Sequence, residues 1–210
     1  SIFEMGVSKG MMENPLLTEV SGLAASVANP GMFWVNNDSG DEPRIYLIDS
    51  AANLVAIARL QGAENRDWEE VAMGKGPDPK LHYIYIGEIG DNLSQYPSKY
   101  IYRIADFKVH RSDKVLDTLI SVVDHLEVRL PDGPRDSEAL IVDPVSNDLY
   151  LFSKRESEIN VYEIKNWSNG YDSTVAKFLL QLPFTQITAA DISSDGAELL
   201  IKNYENVYYW

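Results

Sequence analysis

Four short strings in this chain share one plan: EVSGLAAS at 19–26, DWEEVAMG at 67–74, DSEALIVD at 136–143 and TAADISSD at 188–195. Each opens on a polar or acidic residue, passes through small or acidic residues and then enters an apolar stretch. Turn residues follow each string: Asn29-Pro30-Gly31, Gly74-Lys75-Gly76-Pro77, Asp143-Pro144 and Asp195-Gly196. A second apolar segment follows each turn. A recurring strand–turn–strand unit cannot bury its own hydrophobic face, so copies must pack on one another. Starts near 19, 67, 136 and 188 are compatible with blades of about 40–50 residues and four strands each. The longest interval, 67 to 136, holds four strand candidates and the polar loop Asp91–Lys99, and reads as one enlarged blade.

Local composition agrees with strands. Met32–Val35, Arg44–Ile48, His82–Ile86, Tyr100–Ile104, Asp148–Phe152, Asn160–Ile164 and Asn206–Trp210 are rich in aromatic and β-branched residues. Gly, Pro, Asn, Asp and Ser bound them, as they bound strands generally. One segment resists: SAANLVAIARLQ, 50–61, has good helix formers and a following Gly62. The all-β surroundings favour a turn at Ala51–Asn53 and a strand over Leu54–Leu60. The expected fold is all-β, a single β-propeller domain over residues 1–210 built of four-stranded antiparallel blades. From Thr188 onward there is room for half a blade. Five or six blades are therefore expected in the complete protein, with the chain incomplete at its C-terminus and residues 1–18 offering a strand to the last blade.

With 32 acidic and 18 basic residues the formal charge is −14, which argues against binding a phosphate backbone and against docking on anionic lipid. No apolar run approaches a membrane span of about 18 residues. The absence of cysteine removes disulfides, thiol catalysis and zinc–thiolate sites. His82, His110 and His125 show no metal spacing, no nucleophile elbow surrounds Ser39, and Gly74-Lys75-Gly76 is too short for a phosphate loop. Trp34 and Trp68 read as wedges between blades.

Blade geometry gathers the acids. Adjacent strands run antiparallel, so the start of an innermost strand and the end of its neighbour lie on one side. Glu19, Asp67, Glu69, Asp136, Glu138 and Thr188 open the inner strands. Asn37, Asp38, Glu88, Asp91, Asn92, Lys154, Arg155, Lys202 and Tyr204 end the second ones. Within a strand, residues two apart share a face, which pairs Asp67 with Glu69 and Asp136 with Glu138. Crowded carboxylates need relief from internal cations or from a hard cation such as Ca2+, which takes six to eight oxygens. Glu19, Asp67, Glu69, Asp136 and Glu138 are the expected metal ligands. Asn37, Asp38, Glu88, Asp91, Asn92, Lys154 and Lys202 are the expected ligand-binding set, with no catalytic residue assigned.

WVNNDSGDEPRIYLID, RDWEEVAMGKGP, IYIGEIGDN, DSEALIVDP and ITAADISSDG, taken in order, resemble a group of uncharacterised, mostly exported bacterial β-propellers close to the phytase-like and SdiA-regulated propellers. The resemblance covers about residues 17–210. It implies a periplasmic or extracellular location and a further acidic strand motif. The family usually carries aspartate where this chain has Glu88, and Arg-Thr-Tyr where it has Lys202-Asn203-Tyr204. The functional expectation is a ligand-binding or scaffold propeller with an acidic, cation-accepting mouth. The alternatives are a Ca-dependent hydrolase of phytase-like or lactonase-like type, and a protein-interaction platform.

Overall fold

The computed structural model describes residues 7–121, 123–167 and 170–210. Seventeen strands and no α-helix occur among them. They form four sheets. The first runs from β1 (Val20–Ala25) through β2 (Met32–Asn37) and β3 (Arg44–Asp49) to β4 (Leu54–Leu60). The second contains β5 (Trp68–Gly74), β6 (Tyr83–Glu88), β7 (Lys99–Ala105) and β9 (Asp124–Arg129). The third contains β10 (Ser137–Val142), β11 (Leu149–Ser153), β12 (Ile159–Ile164) and β14 (Lys177–Leu182). The fourth contains β15 (Ile187–Ile192), β16 (Leu199–Asn203) and β17 (Val207–Tyr209).

All these neighbours pair antiparallel. The inner strands β1, β5, β10 and β15 pack side by side in that order. The buried Glu70 carboxyl of β5 lies against backbone N–H groups of Leu23 on β1 and Ala190 on β15, so the first and fourth sheets meet the same side chain. The architecture is a β-propeller of four sheets around a common axis. The segment at 50–61 forms β4, where tertiary pairing with β3 overrides local helix propensity.

Two strands depart from the expected four-stranded antiparallel blade. The chain between β7 and β9 leaves its own sheet, and β8 (Leu116–Ile120) pairs parallel with β4 of the first sheet. Likewise β13 (Ser173–Val175), between β12 and β14, pairs parallel with β9 of the second sheet. Each of these two blades thus lends a fifth strand to the blade before it. This accounts for the long 67–136 interval. Residues 7–18 hold no strand, so in the described part of 1–18 no strand is supplied to the last blade.

Apolar wedges fill the gaps between sheets. Trp34, Trp68, Ile84 and Tyr102 join the first and second sheets. Tyr85, Leu140, Tyr162 and Trp167 join the second and third, and Phe152, Ile187 and Ile201 join the third and fourth. Burying one such side chain fully stabilises by about 1.5–3 kcal/mol. Inner strands approach so closely that a Cβ on Gly22 would stand 2.3 Å from the Val71 nitrogen. Only glycine fits there.

Candidate functional site

Every inner strand opens with a register shift in its pairing to the second strand. It falls between Val20 and Leu23, Trp68 and Glu70, Ser137 and Ala139, and Ile187 and Ala189. A bulge bends the strand and re-aims a side chain. Here it recurs in all four sheets at the same mouth of the channel. By register Glu69 corresponds to Glu138, Thr188 and Ser21, and Asp67 corresponds to Asp136, Gln186 and Glu19. The counterpart of Asp136 in the fourth sheet is therefore Gln186, two residues before the Thr188 of the sequence alignment.

In three sheets a backbone bond ties the end of the second strand to the residue before the first: Asp38 N to Glu19 O at 2.9 Å, Gly90 N to Asp67 O at 3.1 Å and Lys154 N to Asp136 O at 3.0 Å. These ties bring acids from separate strands together. Carboxylate oxygens of Asp38, Asp67 and Glu69 lie within 4.8 Å of one another, as do those of Glu69, Asp136 and Glu138. Glu69 belongs to both groups. A Cβ at position 90 would sit 2.5 Å from the Asp67 carboxyl and from Glu69 Oε1, so Gly90 leaves the space that pair needs.

The acids are not equally compensated. Lys154 Nζ donates to Glu138 Oε1 at 2.6 Å, and Arg155 Nε donates to Asp136 Oδ2 at 2.6 Å. Asp136 Oδ1 also accepts the Asp91 backbone N–H at 2.8 Å. Among the described residues no Lys, Arg or His pairs with Asp38, Asp67 or Glu69. The Ser21 hydroxyl, 3.2 Å from Glu69 Oε2, is a neutral donor. Burial, then the charges of Asp38, Asp136, Glu88 and Glu138, push the Asp67 carboxyl up to about 6. Burial first, then Glu138, Asp38 and Asp67, raise Glu69 further, against the opposing pull of the nearby Lys154. Burial also raises Glu138, against the opposing pull of Lys154.

The other expected residues divide by role. Glu19 is exposed and lies outside both carboxylate groups, lining a shallow cavity with Asn37, Asp41 and Arg44. Its place beside Asp67 and Glu69 is taken by Asp38, from the end of β2. Asn37 holds the Leu16 carbonyl at 2.7 Å and Asp41 at 2.9 Å, a structural use. Glu88 caps the Arg66 and Asp67 backbone N–H groups and pairs with Arg66 Nε at 3.1 Å. Asp91 is fully buried, accepts the N–H groups of Gln95 and Tyr96, and lies 3.4 Å from Lys99 Nζ. It anchors a loop. Asn92 is exposed and accepts from Arg155. Lys202, also exposed, donates to Thr188 Oγ1 at 2.8 Å. The sequence reading left out Ser21, Arg66 and Glu70. Glu70 stood in the quoted DWEE string, but strand alternation turns it away from Glu69.

No family model matches the chain, and no curated protein matches it in sequence. Solved structures do match in shape. An auxiliary nutrient binding protein from Bacteroides thetaiotaomicron superposes with a TM-score of 0.51 at 12% identity, over 91% of this chain and 37% of that one. A candidate phosphatase from the same organism superposes with a TM-score of 0.56 at 14% identity, over 92% of this chain and 42% of that one. The chain thus spans about two fifths of the length of these neighbours. At such identities the likeness is one of fold: this chain is similar to bacterial β-propeller proteins.

Proposed function

We propose that the protein is a ligand-binding propeller whose acidic mouth takes up one hard divalent cation, with Ca2+ the best fit. The supporting observation is the trio Asp38, Asp67 and Glu69, whose oxygens converge within 4.8 Å while none of the three makes a salt bridge among the described residues. Three carboxylates offer up to six oxygens, the lower end of what Ca2+ takes. Asp136 and Glu138 adjoin the trio through Glu69, and each is paired with a cation of its own, Arg155 and Lys154. A cation there would keep coordination positions open for an oxygen-bearing ligand. Lys154 and Arg155, the cations a phosphoryl-handling site would offer its substrate, are both engaged with acids, which favours binding over hydrolysis. Export to the periplasm or exterior is part of the same proposal.

Proton and metal compete for this site. In the folded chain Asp67 and Glu69 keep protons that the unfolded chain, with ordinary values of 3.8 and 4.5, has released. Stability is therefore lost as pH rises from about 4 through about 6 for Asp67, and beyond for Glu69. The acids held below their ordinary value, Asp41, Asp49, Asp117 and Asp143 among them, act below this window. His82, lowered by burial from its ordinary value of 6.5, gives an opposite slope below that pH. The expected outcome is that metal-stripped protein melts lower at pH 8 than at pH 5, and that Asp67→Asn with Glu69→Gln reduces this slope, the remainder coming from Glu70, Glu88, Glu138 and Asp191, which burial also raises. Calorimetric titration with Ca2+ should show saturable heat at pH 8, proton release that depends on buffer, and loss of both in the double variant. Absence of heat and of a thermal shift with Ca2+ would overturn the cation site.

A further inference from the structure

The opposite mouth of the channel is built differently. The far ends of all four inner strands surround a cavity of about 320 Å³. Ala24, Met73, Val142 and Ile192 contribute apolar wall, one residue from each inner strand. That volume is within the range of small-molecule sites, which are mostly apolar with a few placed polar groups. At the rim, Lys75 Nζ lies 3.0 Å from His82 Nε2. Burial and the neighbouring ammonium both lower the His82 pKa, so the ring is neutral at pH 7 and its Nε2 accepts. An ammonium has three N–H donors, and His82 takes one of them. No carboxylate is paired with Lys75 among the described residues. On another wall, the Asp191 carboxylate accepts the Ile192 N–H at 2.9 Å.

We infer that this second mouth is a binding site for a small apolar carboxylate, whose chain lies on the Ala24–Met73–Val142–Ile192 wall and whose carboxylate meets Lys75. Apolar contact supplies most of the affinity, and the charge-assisted hydrogen bond selects an anion. His82 is a positioning residue: it holds the ammonium at the rim while withholding a negative partner from it. The site is independent of the acidic mouth, which belongs to the opposite ends of the same strands.

The test is calorimetric titration of the full chain with hexanoate, hexanamide and hexylamine. The expected order is hexanoate binding at least tenfold tighter than hexanamide, and hexylamine weakest. Lys75→Met should weaken hexanoate at least tenfold and leave hexanamide unchanged. Ala25→Trp, at an exposed lining position, should block both by filling the cavity. Circular dichroism and thermal melting check that each variant is folded. Equal binding of hexanoate and hexanamide, preference for hexylamine through Asp191, or hexanoate binding indifferent to Lys75→Met would each overturn the assignment. A failure of Ca2+ to bind at the acidic mouth leaves these outcomes unaffected.

Discussion

The junction between the first and second sheets and that between the second and third use the same backbone device but differ in what stands at the bulge. At the start of β5 the bulge carries Trp68, fully buried, its ring centroid 5.8 Å from Tyr102 and its Nε1 donating to Glu64 O at 2.8 Å. At the matching place in β10 stands Ser137, whose buried hydroxyl has no hydrogen-bond partner. The second junction has its own apolar wedge of Tyr85, Leu140, Tyr162 and Trp167, with a charged cluster beside it: the Asp91 N–H on Asp136 crosses between the sheets, Lys99 stands beside Asp91, and Arg155 pairs with Asp136. An apolar wedge makes one junction stable whatever the state of the acids. The charged cluster makes the neighbouring junction depend in part on their charge, next to the site proposed to exchange protons for a metal.

Three single substitutions and one double variant break or sharpen this contrast. Trp68→Ala should cost the most, about 3–5 kcal/mol, because it opens a cavity in a close-packed wedge. Urea unfolding measures it, and a loss below about 1.5 kcal/mol would show that the wedge is not what holds the first junction. Lys99→Met should cost about 3 kcal/mol by leaving Asp91 buried and uncompensated. The pairing of Lys99→Met with Asp91→Asn should recover a substantial part of that loss. If the double variant is no better than the single one, Lys99 acts through its packing and the second junction is less ionic than argued. Ser137→Ala should change stability least, within about 0.5 kcal/mol or slightly upward, since a buried hydroxyl without a partner contributes nothing that its removal forfeits. A marked loss in thermal unfolding would mean that Ser137 carries part of the junction after all.

Much of the architecture was legible in the residues. Turn chemistry at Asn29-Pro30-Gly31 and Asp143-Pro144, with the aromatic and β-branched runs between, located most strands of the four sheets to within a residue or two. Even Leu54–Leu60 was placed correctly against its helix propensity. The lent strands β8 and β13 were not legible. Nothing local to Leu116–Ile120 tells the chain which sheet edge it will meet. The carboxylate site was half-legible. Residues two apart on an extended strand share a face, so Asp67 with Glu69 and Asp136 with Glu138 followed from alternation alone. Glu19 stands outside both carboxylate groups, its side chain exposed, and Asp38 from beyond the end of β2 is the acid beside Asp67 and Glu69, a placement that only the packed sheets reveal.

By itself, the order of amino acids determined a repeated β unit, its turns, its apolar wedges and an excess of acid at the strand starts, since these follow from side-chain periodicity and backbone preference over a few residues. Which acids meet, which are neutralised and which edge receives a neighbour's strand were decided only in three dimensions. Those outcomes depend on distances between segments some 50 residues apart, and on how far burial shifts a carboxyl toward its proton, and neither quantity exists until the sheets are packed around their axis.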